Sequence, residues 1–236
     1  MKKIVRVMMS AAVMISSLAN ANDDFSYVST GLQMGRADNA LLNDNQTESG
    51  VGAYLDASWN FYDNFFANYS ISYNSYDGES WQHSWTNGTS SGSESGQEYF
   101  STTRQYYSLG YFVPLGKFTP YLSLGVVSYE ISGNEHESNQ GAPGTTISYR
   151  EKISGVAAQE IGTYYQATEN YKIKLSYNHS AMKYSDVKFA INEFYFGNDY
   201  AFSNSWAMVG NISYRDFGGD LETNEVSTQV GVKYSF

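Results

Sequence analysis

From Val226 to Phe236 the chain alternates between two kinds of side chain. Val226, Thr228, Val230, Val232, Tyr234 and Phe236 share one side; Ser227, Gln229, Gly231, Lys233 and Ser235 share the other. A period of two marks a strand whose two faces meet different surroundings. Upstream, Val51, Ala53, Leu55, Ala57 and Trp59 oppose Gly52, Tyr54, Asp56, Ser58 and Asn60. Phe65, Ala67, Tyr69, Ile71 and Tyr73 oppose Asn68, Ser70, Ser72 and Asn74, and Tyr171, Ile173, Leu175 and Tyr177 oppose Lys172, Lys174, Ser176 and Asn178. The strands group into four hairpins, Leu55 to Tyr76, Tyr107 to Tyr129, Ile161 to His179 and Phe194 to Phe217. They reverse at Tyr62-Asp63-Asn64, Val113 to Lys117, Ala167 to Asn170 and Ser203 to Ser205, where Asp, Asn, Pro and Gly suit a tight turn.

Longer polar segments separate the hairpins: Ala37 to Ser49, Asp77 to Glu98, Ser132 to Thr146, Ala181 to Asp186 and Asp216 to Glu225. Short turns and long loops thus alternate. With one strand before the first loop and one after the last, the count is ten, an even number that leaves both termini on one side. Two strands fit less well. The sixth, near Tyr149 to Gln166, puts Gln159 or Glu160 on the apolar side, depending on register. The eighth, Val187 to Asn198, splits Phe194 and Phe196 from Phe189 and Ile191. A bulge would reconcile either; without the eighth strand the count falls to eight.

Aromatics gather at strand ends. Trp59, Tyr62, Phe65, Tyr111, Phe118, Tyr171, Tyr200, Trp206, Tyr234 and Phe236 fall at the turn ends, and Tyr73, Tyr99, Tyr129, Tyr177 and Tyr214 at the loop ends. Two belts are what amphipathic rings form at the two interfaces of a membrane. The terminal strand, with Tyr234 third from last and Phe236 last, resembles the closing strand of bacterial outer-membrane β-barrels. The stretch Tyr111 to Gly125 resembles the central hairpin of the superfamily of opacity proteins and the outer-membrane protein A transmembrane domain. The resemblance implies an all-β, antiparallel, up-and-down transmembrane barrel with turns facing the periplasm and loops facing outside. It also implies that Tyr234 and Phe236 are read by the barrel-assembly machinery, and that outer-membrane lipid and lipopolysaccharide surround the chain. A monomer is expected.

The N-terminus agrees. Lys2, Lys3 and Arg6 precede an apolar run from Val7 to Leu18 and a small-x-small site, Ala19-Asn20-Ala21. This reads as a signal peptide over residues 1–21, because the run is well short of the ~20 residues a spanning helix needs. Residues 22–236 are then the barrel domain. Losing the three signal bases takes the formal net charge from −10 to −13, which argues against nucleic-acid partners. With no cysteine in the chain, disulfides and thiolate metal sites are excluded.

No cofactor, metal site or catalytic residue emerges. Omptin-like proteases pair aspartates against a His–Asp couple, yet the chain has no Asp-x-Asp or Asp-x-His. Lipid A deacylases use a His and a Ser two apart on one face. Here His179 and Ser180 are adjacent and so point oppositely, and His179 reads as an interfacial polar cap. Asp56, Arg104, Glu160, Lys172, Lys174, Arg215 and Lys233 are expected in the lumen, where buried charges must pair. Ten strands enclose little free space, so the lumen should be mostly filled. A small, cation-preferring channel is the alternative. The segment Asp77 to Glu98 carries Trp81, His83 and Trp85 as candidate contact residues of an exposed loop. A structural or surface-interaction role follows, rather than a catalytic one.

Overall fold

A computed structural model describes residues 24–38, 47–87, 90–139, 145–184, 187–219 and 223–236. The expected signal peptide lies outside the described residues, as do parts of all five expected loops, at 39–46, 88–89, 140–144, 185–186 and 220–222. Ten strands run β1 (Tyr27–Asp38), β2 (Thr47–Tyr62), β3 (Phe65–Asn87), β4 (Ser90–Phe112), β5 (Phe118–Asn139), β6 (Thr145–Thr168), β7 (Tyr171–Tyr184), β8 (Val187–Ala201), β9 (Trp206–Gly219) and β10 (Thr223–Ser235). Each pairs antiparallel with its neighbours in sequence, and β1 pairs with β10 to close the barrel. The ten-strand reading from turn–loop parity is correct.

The short turns follow from their residues. Asp63 sits at φ 43° between β2 and β3, a left-handed position that Asp tolerates. Asn60 Nδ2 donates to the carbonyls of Asp63 (2.6 Å) and Phe65 (2.8 Å) and holds the reversal. Between β4 and β5, Gly116 takes φ 66° while Val113 N–H donates to the Pro120 carbonyl at 2.9 Å.

The barrel is apolar outside. Leu32 is 70% exposed, Leu109 and Leu124 63% and Ile161 60%, and Trp59, Phe65, Tyr111, Phe118, Trp206 and Tyr234 ring the turn end. So continuous an apolar surface is untenable in water and fits the hydrocarbon of a bilayer. The polar positions of each strand face in: Ser29, Gln33, Ser58, Ser72, Asn74, Ser108, Asn178, Asn211, Ser213 and Ser227 are all buried.

Both doubtful strands resolve. Glu160 turns inward and Gln159 outward on β6, with register shifts higher up, between Gly125 and Ser128 on β5 and between Gly155 and Ala157 on β6. No bulge rescues β8, whose register runs unbroken against β7 and β9. Instead Ile191 faces in, because the lumen at that level is itself apolar: Ile191 packs with Tyr106, Val127, Tyr129, Ala158 and Phe217.

Two expected loops are largely strand. β3 and β4 stay paired from Tyr76↔Phe100 to Asn87↔Ser90, beyond the last β2–β3 pair at Gly50↔Tyr76, and β5 and β6 stay paired up to Glu137↔Thr145. Four strands thus rise past the rim as one ribbon. Its Ser, Gly, Asn and Glu residues lack apolar alternation because neither face meets a core or a bilayer. Backbone pairing holds it instead.

At the β1–β10 seam Gly31 lies opposite Gly231. A Cβ on Gly31 would come within 2.1 Å of the Val230 carbonyl oxygen, and one on Gly231 within 2.5 Å of the Tyr54 hydroxyl. Only bare backbone fits this joint.

Candidate functional site

The lumen is stacked in layers. At the turn end Phe25, from the segment preceding β1, is 2% exposed and buried against Phe66, Phe112, Tyr121 and Tyr164. Its ring stacks on Phe112 at 4.2 Å and meets Tyr164 edge-on at 5.3 Å. Lys172, on β7, reaches Asp24 beside it in an ion pair. This segment therefore forms a floor across the barrel.

Above the floor, tyrosines and charges interleave. Lys174 lies 3.7 Å from Glu160 and over the rings of Tyr195 (4.9 Å), Tyr121 (5.6 Å) and Tyr164 (5.7 Å). Lys233 pairs with Asp199 at 2.6 Å and sits 4.4 Å over Tyr27. Asp56 accepts from the Tyr27 hydroxyl and from Asn68 Nδ2, both at 2.8 Å. Tyr121 O–H donates to Glu160 at 2.5 Å. Cation–π contacts of this kind gain strength where water is excluded.

The next layer spans the lumen. Arg104 Nη2 meets Glu193 Oε2 at 2.6 Å, Arg215 Nε meets the other oxygen of Glu193 at 2.8 Å, and Arg215 Nη1 meets Glu225 Oε1 at 3.0 Å. Glu193, Arg215 and Glu225 are register neighbours on β8, β9 and β10, and Arg104 approaches from β4. Between this layer and the Lys174 layer is a polar cavity of about 80 Å³, lined in part by Asp56, Asn178 and Tyr195. The buried Nδ2 of Asn178 has no protein partner, and such a space is polar enough for water.

Asp56, Arg104, Glu160, Lys172, Lys174, Arg215 and Lys233, the charges expected in the lumen, all point into it. Their partners Asp24, Asp199, Glu193 and Glu225 are absent from that expectation. Glu193 and Asp199 share phase with Tyr195 against the outward Phe194 and Phe196, so alternation on β8 carried the signal. Glu225 extends the polar phase of β10 one step beyond the expected strand start.

The three candidate loop residues sit on a strand instead. Trp81 is opposite Gly96, His83 opposite Glu94 and Trp85 opposite Gly92 in the β3–β4 ribbon. The ring of Trp85 covers Gly92 so closely that a Cβ there would come within 2.5 Å of it. His83 and Trp85 are exposed. At the loop end of the wall, His179 faces out and bonds Asn192, whereas Ser180 is 2% exposed within the barrel. The two are on opposite faces.

The structure is similar to the outer-membrane protease OmpT of Escherichia coli (TM-score 0.54, 9% identity, covering 94% of this chain and 100% of that one). It is also similar to the translocator domain of the autotransporter NalP of Neisseria meningitidis (TM-score 0.44, 12% identity, 100% and 95%) and to the attachment invasion locus protein Ail of Yersinia pestis (0.42, 12%, 89% and 97%). At such identities the likeness is one of fold. No curated protein sequence matches. Residues 8–202 match the family model of the outer membrane protein beta-barrel domain. The chain belongs to that family, and its ten closed strands are those of a bacterial outer-membrane β-barrel.

Proposed function

We propose that the chain is a closed anchor in the outer membrane that presents the β3–β6 ribbon for contacts at the cell surface, without catalysis. The observation that carries this reading is the contrast between the two ends. The floor around Phe25 and the ion-pair layer fill the lumen, while four strands continue beyond the rim. Contact function concentrates on exposed elements held by rigid scaffolds, and Trp85 and His83 are exposed on this one. Outer-membrane lipid and lipopolysaccharide are the expected surroundings, and the assembly machinery the expected partner during insertion.

The test replaces residues 80–97 by a two-residue turn and measures adhesion of cells displaying the full and shortened chains to immobilised extracellular matrix. Lost adhesion with an intact, heat-modifiable barrel supports the reading. Equal adhesion overturns it.

A second reading rests on the polar cavity between the two charged layers. The space is bordered by Asp56, Glu160 and Glu193 and equally by Arg104, Lys174 and Arg215, and a narrow cation-preferring pore would have to run through it past both signs of charge. Steady cation-selective openings in planar bilayers would favour it over the anchor.

A further inference from the structure

Above the rim the closed sheet acquires edges. The last β2–β3 pair is Gly50↔Tyr76 and the last β6–β7 pair is Gly155↔Met182, whereas β3, β4, β5 and β6 stay paired with one another beyond both. On β3 the register resumes after an irregularity at Asp77 and runs unbroken from Ser80↔Gln97 to Asn87↔Ser90. On β6 residues 147–154 pair with β5 alone. Among the described residues no strand pairs with the other side of either stretch.

Unpaired N–H and C=O groups along an edge are a template for another strand. Proline, one of the usual means of blunting an edge, occurs in neither stretch. Residues 82–86 are all exposed, so both faces of β3 are bare there, and Ser148, Arg150 and Lys152 are exposed along β6. The two edges differ in charge. β6 carries the cations Arg150 and Lys152, and the Arg150 side chain stays 72% exposed while it pairs with Glu130 at 2.7 Å. β3 offers the exposed Trp85, with the exposed Glu94 one strand in, opposite His83. An aromatic face and a carboxylate are partners for a cation.

Strand direction decides which edge meets which. β3 rises from the turn end to the loop end and β6 descends. In two copies standing upright in one membrane, β3 of one and β6 of the other are therefore antiparallel, the more stable pairing and the one used throughout the barrel. β3 against β3 or β6 against β6 would be parallel, and the latter would bring like cations together. Barrel strands tilt by roughly 35–45°, so a ribbon of this height leans past its own wall towards a neighbour.

We infer that residues 80–87 of one copy pair with residues 147–154 of a second copy in the same membrane, in place of the monomer expected from the sequence. The contact is heterologous, and each copy leaves one edge for the next, which gives a row and not a closed pair. This ribbon is the one proposed above for surface contacts; pairing occupies its edges and leaves its faces open.

The chain has no cysteine, so single cysteines report contacts cleanly. Full-length copies carrying Ser84→Cys and copies carrying Ser148→Cys, with different epitope tags, are co-expressed, and the outer membranes are treated with a short bis-maleimide. The mixed pair should give a crosslinked dimer bearing both tags, in severalfold excess over the dimer from either variant alone, which reads chance collision and like-edge contact. Lys152→Glu in the Ser148→Cys copy should reduce the mixed product severalfold. Heat-modifiable migration reports folding of each variant, Thr86→Cys is the alternative site on β3, and matrix adhesion is a separate readout that this result does not depend on. A mixed product no more abundant than the single-variant dimers, one insensitive to Lys152→Glu, or a crosslink only to a protein of another mass overturns the second copy as occupant of these edges.

Discussion

Arg104 and Glu193, 89 positions apart in the chain, meet at 2.6 Å across the lumen. Strands β4 and β8 are not neighbours in the sheet, so this contact is a strut between facing walls. It is not part of the ladder that closes the barrel. Glu193 serves two arginines at once, and its loss would leave both Arg104 and Arg215 buried with too little compensating charge.

Glu193→Gln should therefore destabilise the barrel by about 3–5 kcal/mol, the cost of breaking a buried ion pair from one side. Reversible denaturant unfolding in lipid vesicles measures it. A double-mutant cycle with Arg104→Met should show strong coupling, and additive effects would deny the strut.

Phe25→Ala removes the centre of the periplasmic floor. The expected outcome is a rise in single-channel conductance above the wild-type baseline, with the barrel still folded because Phe25 lies outside the ladder. Unchanged conductance would locate the seal in the Arg104–Glu193 layer alone.

Leu175 is half exposed on the lipid wall and Ser176 beside it lines the polar cavity. Leu175→Arg should cost about 2–4 kcal/mol, the price of a lipid-facing arginine near midplane. Ser176→Arg, whose charge can find lumen carboxylates, should cost clearly less in the same unfolding assay. Equal damage would contradict the facing of β7.

Much of this was legible in the sequence, for a simple reason. Where a strand separates lipid from a polar lumen, every second residue reports its side, so β2, β3, β7 and β10 declare themselves. Legibility fails where that contrast fails. Ile191 breaks the alternation because the lumen around Val127 and Phe217 is apolar too. Trp81, His83 and Trp85 read as a loop because the ribbon around them carries no apolar–polar alternation, although its backbones stay paired. The outward polar pair His179 and Asn192 is half visible, since each strand shows one polar outward residue but only register aligns them.

Replacing Phe236 by a polar residue should reduce the folded, heat-modifiable fraction in the outer membrane. The resemblance of the last strand to those read by the assembly machinery motivates this expectation. In the folded state Phe236 N–H donates to the Ser26 carbonyl at 3.1 Å, and the Tyr234 ring packs tilted against Trp206 with centroids 5.0 Å apart. Undiminished assembly would remove the terminal aromatic from the recognition signal.

The bare seam between Gly31 and Gly231 bears on the order of events. β1 and β10 are the partners farthest apart along the chain, and contacts of such separation come late because the intervening loop must first be closed. A joint made late must be made between walls already standing. Interdigitating side chains would have to thread past one another there, whereas two flat stretches of backbone can slide into register and zip. Gly231→Val, whose Cβ would meet the Thr30 carbonyl oxygen at 2.2 Å, should therefore block this last joint and leave an open sheet with two unsatisfied edges.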